Sequence, residues 1–145
     1  MMTATLAIRD LALQMLAQES SPNGAPEDLI LRAQRVFERL RVHLTIFVGT
    51  AGYRAMLSRA LVMVKSQEPS LREFAVSMEG TLDLATHRDN HEAMSGVILL
   101  LAQLLGLIET LVGEALMLRL VQDVWPMVTL DLSLNAEQID REVIP

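Results

Sequence analysis

The strongest indication of the fold comes from residues 97–126, VILLLAQLLGLIETLVGEALMLRLVQDVWP. From 97 to 108 this stretch is apolar at nearly every position, so a helix here has apolar side chains on all its faces. Such a helix needs neighbouring elements around it to exclude water. It is predicted to run from about residue 90 to Trp125, because Pro126 cannot continue it. This segment therefore predicts a helical bundle with one long central helix in the C-terminal half.

The composition also favours an all-α fold. The 145 residues include 26 leucines and 9 methionines, which form helices readily, and only five aromatic residues. Little material is left for a sheet. The predicted architecture is a compact bundle of four to five helices over residues 1–126, followed by a partly extended C-terminal arm over residues 127–145.

Helical periodicity predicts the other helices over about residues 3–19, 26–65 and 70–85. In the second of these segments, the apolar stripe extends through Leu44 and Phe47. Residues 49–52, GTAG, interrupt it, and this break is consistent both with a turn between two helices and with a kink in one. The third segment begins at a capping box formed by Ser70 and Glu73.

The chain has more apolar residues than a small bundle can cover. With the seven glycines counted and the tyrosine left out, about 55% of the residues are apolar, above the ~45–50% usual for soluble domains. Because a small bundle exposes much of each helix, part of this surface is expected to contact another chain. The predicted contacts are a seam of small residues in the long helix, the tryptophan at its end and leucines of the arm: Ala102, Gly106, Thr110, Gly113, Trp125, Leu130, Leu132 and Leu134. For Trp125, a lid on the bundle core is an equal alternative to an interface.

The arm has the periodicity of a strand. Leu130, Leu132 and Leu134 alternate with polar residues, a period of two. A single strand leaves its backbone groups unpaired, so the arm either lies over the bundle or adds to a strand of another chain. Asn135 and Gln138 predict a cap for a short helix that follows.

Charge is distributed unevenly along the chain. Residues 29–67 carry seven basic side chains and one acidic, +6, and the remainder carries five basic and seventeen acidic, −12, which together give the net charge of −6. Four arginines form a predicted basic face: Arg32, Arg35, Arg39 and Arg54. Acidic segments of this chain or of a protein partner fit that face better than nucleic acid, because the net charge is negative and no groove-reading motif is present.

The titratable residues form no recognisable catalytic or metal site. His87 and His91 are weak metal candidates at a spacing of four, but the predicted start of a helix between them separates the two imidazoles. Glu109 and Glu114 project about 140° apart on a continuous helix, so they are not expected to act together on a substrate. Neither an enzymatic activity nor a cofactor is predicted.

We therefore expect a non-enzymatic helical interaction module, either a homo-oligomer or a small subunit or adaptor of a larger assembly. The alternative is a regulatory helical domain that holds an apolar small molecule between helices. Its flexible lining would come from four methionines: Met56, Met63, Met94 and Met117.

A membrane-associated protein that inserts residues 93–118 is a second, disfavoured alternative. The longest charge-free run has 16 residues, fewer than the ~20 that cross a bilayer. Arg9 and Asp10 lie where a signal peptide needs an uncharged apolar stretch, so a cytoplasmic location is expected.

Overall fold

The computed structural model describes residues 5–19, 29–68, 71, 74–78, 80–83 and 91–134, and it confirms the all-α prediction. Within these residues the chain forms helices α1 (Leu6–Gln18), α2 (Leu29–Lys65), α3 (His91–Val112) and α4 (Glu114–Val124), and strands β1 (Ala75–Val76) and β2 (Leu82–Asp83). Helix α3 lies at the centre and packs against α1, α2 and α4. Its leucine-rich part is fully buried, as at Val97, Leu100, Leu101, Leu104 and Leu105.

Helix α1 covers one side of α3. It begins after Thr5, whose hydroxyl accepts a hydrogen bond from the Ile8 amide at 3.2 Å and caps the first turn. The residues that face the core recur at helical spacing: Ala7, Ile8, Leu11, Ala12, Met15 and Leu16. The predicted first helix is thus present, two to three residues shorter than expected at its start.

Helix α2 folds back on itself at Gly49, so the break at residues 49–52 is a turn between two helices and not a kink in one. Gly49 has φ 78° and ψ 166°, a backbone conformation essentially limited to glycine. The Tyr53 hydroxyl reaches the carbonyl oxygen of Phe37 at 3.3 Å. In a straight helix these residues would be about 24 Å apart. The first half of α2 (29–48) and the second half (50–65) therefore form a helical hairpin.

The predicted long helix over about residues 90–125 is divided in two. Gly113 has φ 92° and ψ 161°, nearly the conformation of Gly49, and it separates α3 from α4. The sequence indicated a continuous helix because one glycine weakens a helix by only ~1 kcal/mol relative to alanine. The chain instead turns at Gly113, and Pro126 follows the end of α4 as predicted.

The predicted helix over residues 70–85 is wrong, because its described part forms the β1–β2 hairpin. Val76 pairs with Leu82, and the Ser77 amide donates to the Thr81 carbonyl at 2.9 Å to close the turn. Gly80, at φ 87°, supplies the left-handed backbone that the turn needs. The capping-box residues and residues 84–90 lie outside the described residues.

The beginning of the C-terminal arm packs against its own bundle. Val128 is fully buried, and the side-chain amide of Gln14 both donates to and accepts from the Thr129 backbone at 2.9 Å. Leu130 packs partly buried against the core. Among the described residues 127–134 none belongs to a strand, and the helix predicted after Asn135 lies outside the described part of the chain.

Candidate functional site

The chain turns at Gly49 and at Gly113, and these two glycine corners lie at the same end of the bundle. Ala55 and Met56, in the second half of α2, line one groove together with Thr110 and Leu111 of α3. Ala55 follows the first corner by six residues and Leu111 precedes the second by two. At 1.5 Å per residue, both corners are within about 10 Å of this groove along the helix axes.

Large apolar side chains are exposed around both corners. Ile46 is 75% exposed, Phe47 59% and Leu111 68%, although each belongs to a helix. We use the term apolar end for the six exposed apolar residues next to the two glycines: Ile46, Phe47, Val48, Leu111, Val112 and Leu116. The prediction that Phe47 continues the buried stripe of α2 is therefore wrong, because the stripe ends at Leu44, which is buried.

The small-residue seam runs from the core to this end. Ala102 is buried, Gly106 is half-buried, and Thr110 and Gly113 are exposed. A methyl group added at Gly106 would meet no atom within 4 Å, so no backbone of the described chain packs closely there. Close packing against a glycine occurs instead at Gly96, where an added methyl group would lie 2.5 Å from Leu71.

Glu109 and Glu114 lie beside the apolar end, one on each side of Gly113. Because the chain turns at Gly113, the angle of about 140° expected from a continuous helix does not apply to them. Burial, and then the negative charge of Glu114, raises the pKa of Glu109. Within the described part of the chain, neither carboxylate forms an ion pair with a lysine or arginine.

A groove of about 420 Å³ lies between the second half of α2 and the end of α3. It is lined by Ala55, Met56, Arg59, Met63, Leu107, Thr110 and Leu111. Two of the four methionines predicted to line a ligand site are thus in one groove, whereas Met117 is buried in the core and the side chain of Met94 is not described. Arg59 is exposed and forms no ion pair among the described residues.

The predicted basic face is partly used inside the protein. The buried Glu19 carboxylate lies 3.1 Å from Arg39 Nε and 3.6 Å from Arg35 Nε. Trp125 donates its indole N–H to the same carboxylate at 2.9 Å. We call these four residues the Glu19 cluster. Because Trp125 is 1% exposed, it is the lid on the core and is not on the protein surface.

The remaining basic residues are separate from this cluster. Arg54 donates to the Met78 sulfur at 3.2 Å and so faces the β-hairpin. Arg32 is half-buried, and its Nε has no hydrogen-bond partner among the described residues. The four arginines therefore have different surroundings: Arg35 and Arg39 contact Glu19, and Arg54 contacts Met78.

A second hollow near the apolar end contains an imidazole and a carboxylate. His43 Nε2 and Asp123 Oδ2 are 3.5 Å apart, too far and too poorly aligned for a hydrogen bond. The His43 ring contacts Phe47 edge to face at 5.5 Å between centroids. None of the seven described residues that line this hollow carries a hydroxyl or thiol nucleophile. This pair connects α2 to α4.

Two further sets of predicted residues lie partly outside this description. His91 begins α3, but its side chain and all of His87 are outside the described residues, and the described residues contain no cluster of metal ligands. In the arm, Leu132 is 48% exposed and Leu134 is half-buried.

Comparison with known proteins gave no match to a protein family, to a curated protein or to a solved structure. One described helical window, Ser95–Val112, is long and apolar enough to cross a membrane, and 56% of it is buried inside the fold. A core helix of a bundle has this same character.

Proposed function

We propose that this protein is a non-enzymatic helical interaction module that self-associates through the apolar end, as a homo-oligomer or as a small subunit of a larger assembly. The single observation that carries the proposal is the group of six exposed apolar side chains around Gly49 and Gly113. Contiguous apolar surface of this kind marks contact sites in soluble proteins. Its position at one end of the bundle leaves the buried core unaffected by association.

The excess of apolar residues supports the same proposal. Leu100, Leu101, Leu104 and Leu105 of α3 are fully buried in the core, yet Ile46 is 75% and Leu111 68% exposed. Ile46 lies three residues before Gly49 and Leu111 two residues before Gly113, so both are at helix ends whose backbone conformation only glycine adopts readily. A preorganised apolar surface loses little conformational entropy on binding.

The test is sedimentation velocity of the purified chain over a range of protein concentrations. We expect a concentration-dependent oligomer for the natural sequence. The substitutions Ile46→Glu and Leu111→Glu are each expected to raise the dissociation constant by about a hundredfold, because they place an unpaired charge in the contact. Both positions are exposed, so the helix content and the unfolding temperature are expected to change little.

Leu13→Glu is the matched control. Leu13 is 49% exposed on α1, a helix that supplies no residue of the apolar end or of the groove. This variant is expected to associate like the natural sequence. A monomeric natural chain at all concentrations would contradict the proposal, and equal weakening by all three substitutions would show that the apolar end has no special role.

A second candidate function is the binding of an apolar small molecule that carries an anionic group. The groove near the apolar end supports it, because Met56 and Met63 adapt to ligand shape and Arg59, which forms no ion pair among the described residues, can bind a carboxylate. The groove has a volume within the usual range for ligand sites, ~300–1,000 Å³. A medium-chain fatty acid has the required chemistry.

Thermal unfolding with decanoate and with decanol separates the two candidates. If the groove holds an amphiphilic carboxylate, decanoate raises the unfolding temperature of the natural chain more than decanol, and Arg59→Gln removes that difference. A chain that is monomeric and stabilised by decanoate supports ligand binding and contradicts self-association. Equal stabilisation by both compounds, unchanged by Arg59→Gln, contradicts a specific carboxylate site.

A further inference from the structure

Charged side chains of both signs lie beside the apolar end. Arg59 lies on the α2 wall of the groove, and Glu109 and Glu114 lie at the corner between α3 and α4. None of the three forms an ion pair among the described residues. Leu111 and Leu116 lie within two residues of these carboxylates along the chain and are exposed.

This arrangement is complementary to itself. In a twofold dimer the same surface of each copy meets the other, so a contact from one residue to a second is repeated in reverse. A surface that carries a cation and carboxylates at separate positions gains two sets of unlike pairs in this way when the axis lies between them. A surface of a single sign would instead place like charges opposite each other, which is costly.

We propose that two copies of the chain meet about a twofold axis at the apolar end, with Arg59 of each copy against Glu109 and Glu114 of the other. This inference rests on the proposed self-association and adds its partner, symmetry and charge pairing. The apolar side chains form the centre of the contact, and the groove lined by Met56, Thr110 and Leu111 receives part of the second copy.

A charge exchange tests the pairing. Arg59→Glu places a carboxylate opposite carboxylates, and Glu109→Arg with Glu114→Arg places arginines opposite an arginine. Each variant alone is expected to raise the dissociation constant of the homodimer at least about tenfold. An equimolar mixture of the two variants restores association as a heterodimer, because every pair in it is again unlike. Native mass spectrometry distinguishes the heterodimer from both homodimers by mass.

Arg119→Glu is the control for charge reversal. Arg119 is exposed on α4, forms no ion pair among the described residues and lies five residues beyond Glu114. We expect the natural affinity in this variant. Circular dichroism of each variant shows whether the fold is retained.

The outcomes separate this inference from the proposal on which it rests. A natural chain that dimerises while both charge variants keep its affinity overturns the pairing and leaves self-association intact. A mixture that yields no heterodimer also overturns the pairing. A natural chain that is monomeric, or that sediments only with phospholipid vesicles, overturns self-association itself.

Discussion

At the Glu19 cluster a buried carboxylate accepts the indole N–H of Trp125 and lies against two guanidinium groups. At the apolar end the charge of Glu114 acts unfavourably on Glu109, and among the described residues neither forms an ion pair with a cation. The Glu19 carboxylate is 6% exposed, so the folded state needs its partners to compensate for the burial of a charge. The second pair is partly open to water, so the fold tolerates its repulsion.

The polar groups of the Glu19 cluster hold the fold together, whereas those of the apolar end are available to a partner. Glu19 joins the end of α1, the first half of α2 and the end of α4, three regions distant in sequence. Removing any member leaves a buried group without its partner, which is costly. The groups at the apolar end connect nothing within the described chain, so changing them is expected to alter association more than stability.

The largest expected loss of stability follows from Trp125→Ala. The change removes a fully buried indole and leaves the Glu19 carboxylate without its N–H donor, so the free energy of unfolding is expected to fall by about 3–5 kcal/mol. Trp125→Phe keeps most of the volume and is expected to cost less, about 1–3 kcal/mol. Urea unfolding followed by circular dichroism measures both. A loss below 1 kcal/mol for the alanine variant would contradict the assigned role of the cluster.

The next largest changes in stability are expected at two glycines seven residues apart, Gly113 and Gly106. Gly113→Ala forces alanine into φ 92°, ψ 161° and is expected to cost about 1–3 kcal/mol. Gly106→Ala places a methyl group in open space within a helix and is expected to raise stability by up to about 1 kcal/mol. The same substitution seven residues apart thus has opposite signs in thermal or urea unfolding. Equal effects would show that the corner at Gly113 is not required.

The centre of the fold could be predicted from the sequence because one signal dominates it. An apolar run from 97 to 108 has no other stable arrangement in water than a surrounded helix. The corner at Gly113 could not be predicted, and the break at Gly49 was consistent with both a turn and a kink, since glycine fits a helix at a small cost and only packing selects the other conformation. The β1–β2 hairpin was missed because its apolar residues also fit helical spacing, and the contact of Gly80 with Tyr53 is not visible locally.

The candidate site could be predicted in kind but not in position. The apolar excess indicated exposed surface, whereas Phe47 followed the spacing of the buried Leu44 and was assigned to the core. Phe47 is exposed because it lies at the end of the bundle, and this position depends on the tertiary structure and not on the local sequence. Glu19 had no local signal at all, because its partners are 16, 20 and 106 residues away in sequence, counted to Arg35, Arg39 and Trp125.

Tyr53, at the border between the core and the apolar end, provides a pH-dependent test. Burial, and to a lesser extent Glu38, raises the pKa of Tyr53 above its ordinary value of 10.0, while Arg41 partly opposes this. Because the folded state favours the protonated phenol, this contribution to stability is present below pH ~10 and is lost as the pH rises toward the raised pKa. Unfolding at increasing alkalinity is expected to show this loss.

Tyr53→Phe removes the hydrogen bond to Phe37 and is expected to cost about 0.5–1.5 kcal/mol at neutral pH. The phenylalanine variant has no phenol to ionise, so its stability is expected to fall less above pH ~10. The natural chain has one tyrosine, so the ultraviolet absorbance of tyrosinate reports this residue alone. Ionisation of Tyr53 at its ordinary pKa in the folded chain would contradict its burial.

Glu109→Gln is expected to have the smallest effect on stability. It is expected to stabilise the monomer and to weaken the dimer, so its effects in the two states have opposite signs. Burial and Glu114 raise the pKa of Glu109, so the folded monomer favours the protonated carboxyl, and stability is lost as the pH rises through the raised pKa. Glu109→Gln is neutral at every pH. In dilute solution it is therefore expected to be slightly more stable than the natural chain at pH 7, with the difference vanishing as the pH falls below about 4.

At concentrations where the natural chain associates, the same variant is expected to weaken the dimer, because the carboxylate that repels Glu114 within one copy is the one that attracts Arg59 of the other. Glu114→Gln removes the second cause of the shift and is expected to change both properties in the same directions by less. Urea unfolding at low protein concentration measures the first property and sedimentation velocity the second. If Glu109→Gln stabilised the monomer and also strengthened the dimer, Glu109 would face a negative group of the second copy, and the two copies would have to meet in a different orientation.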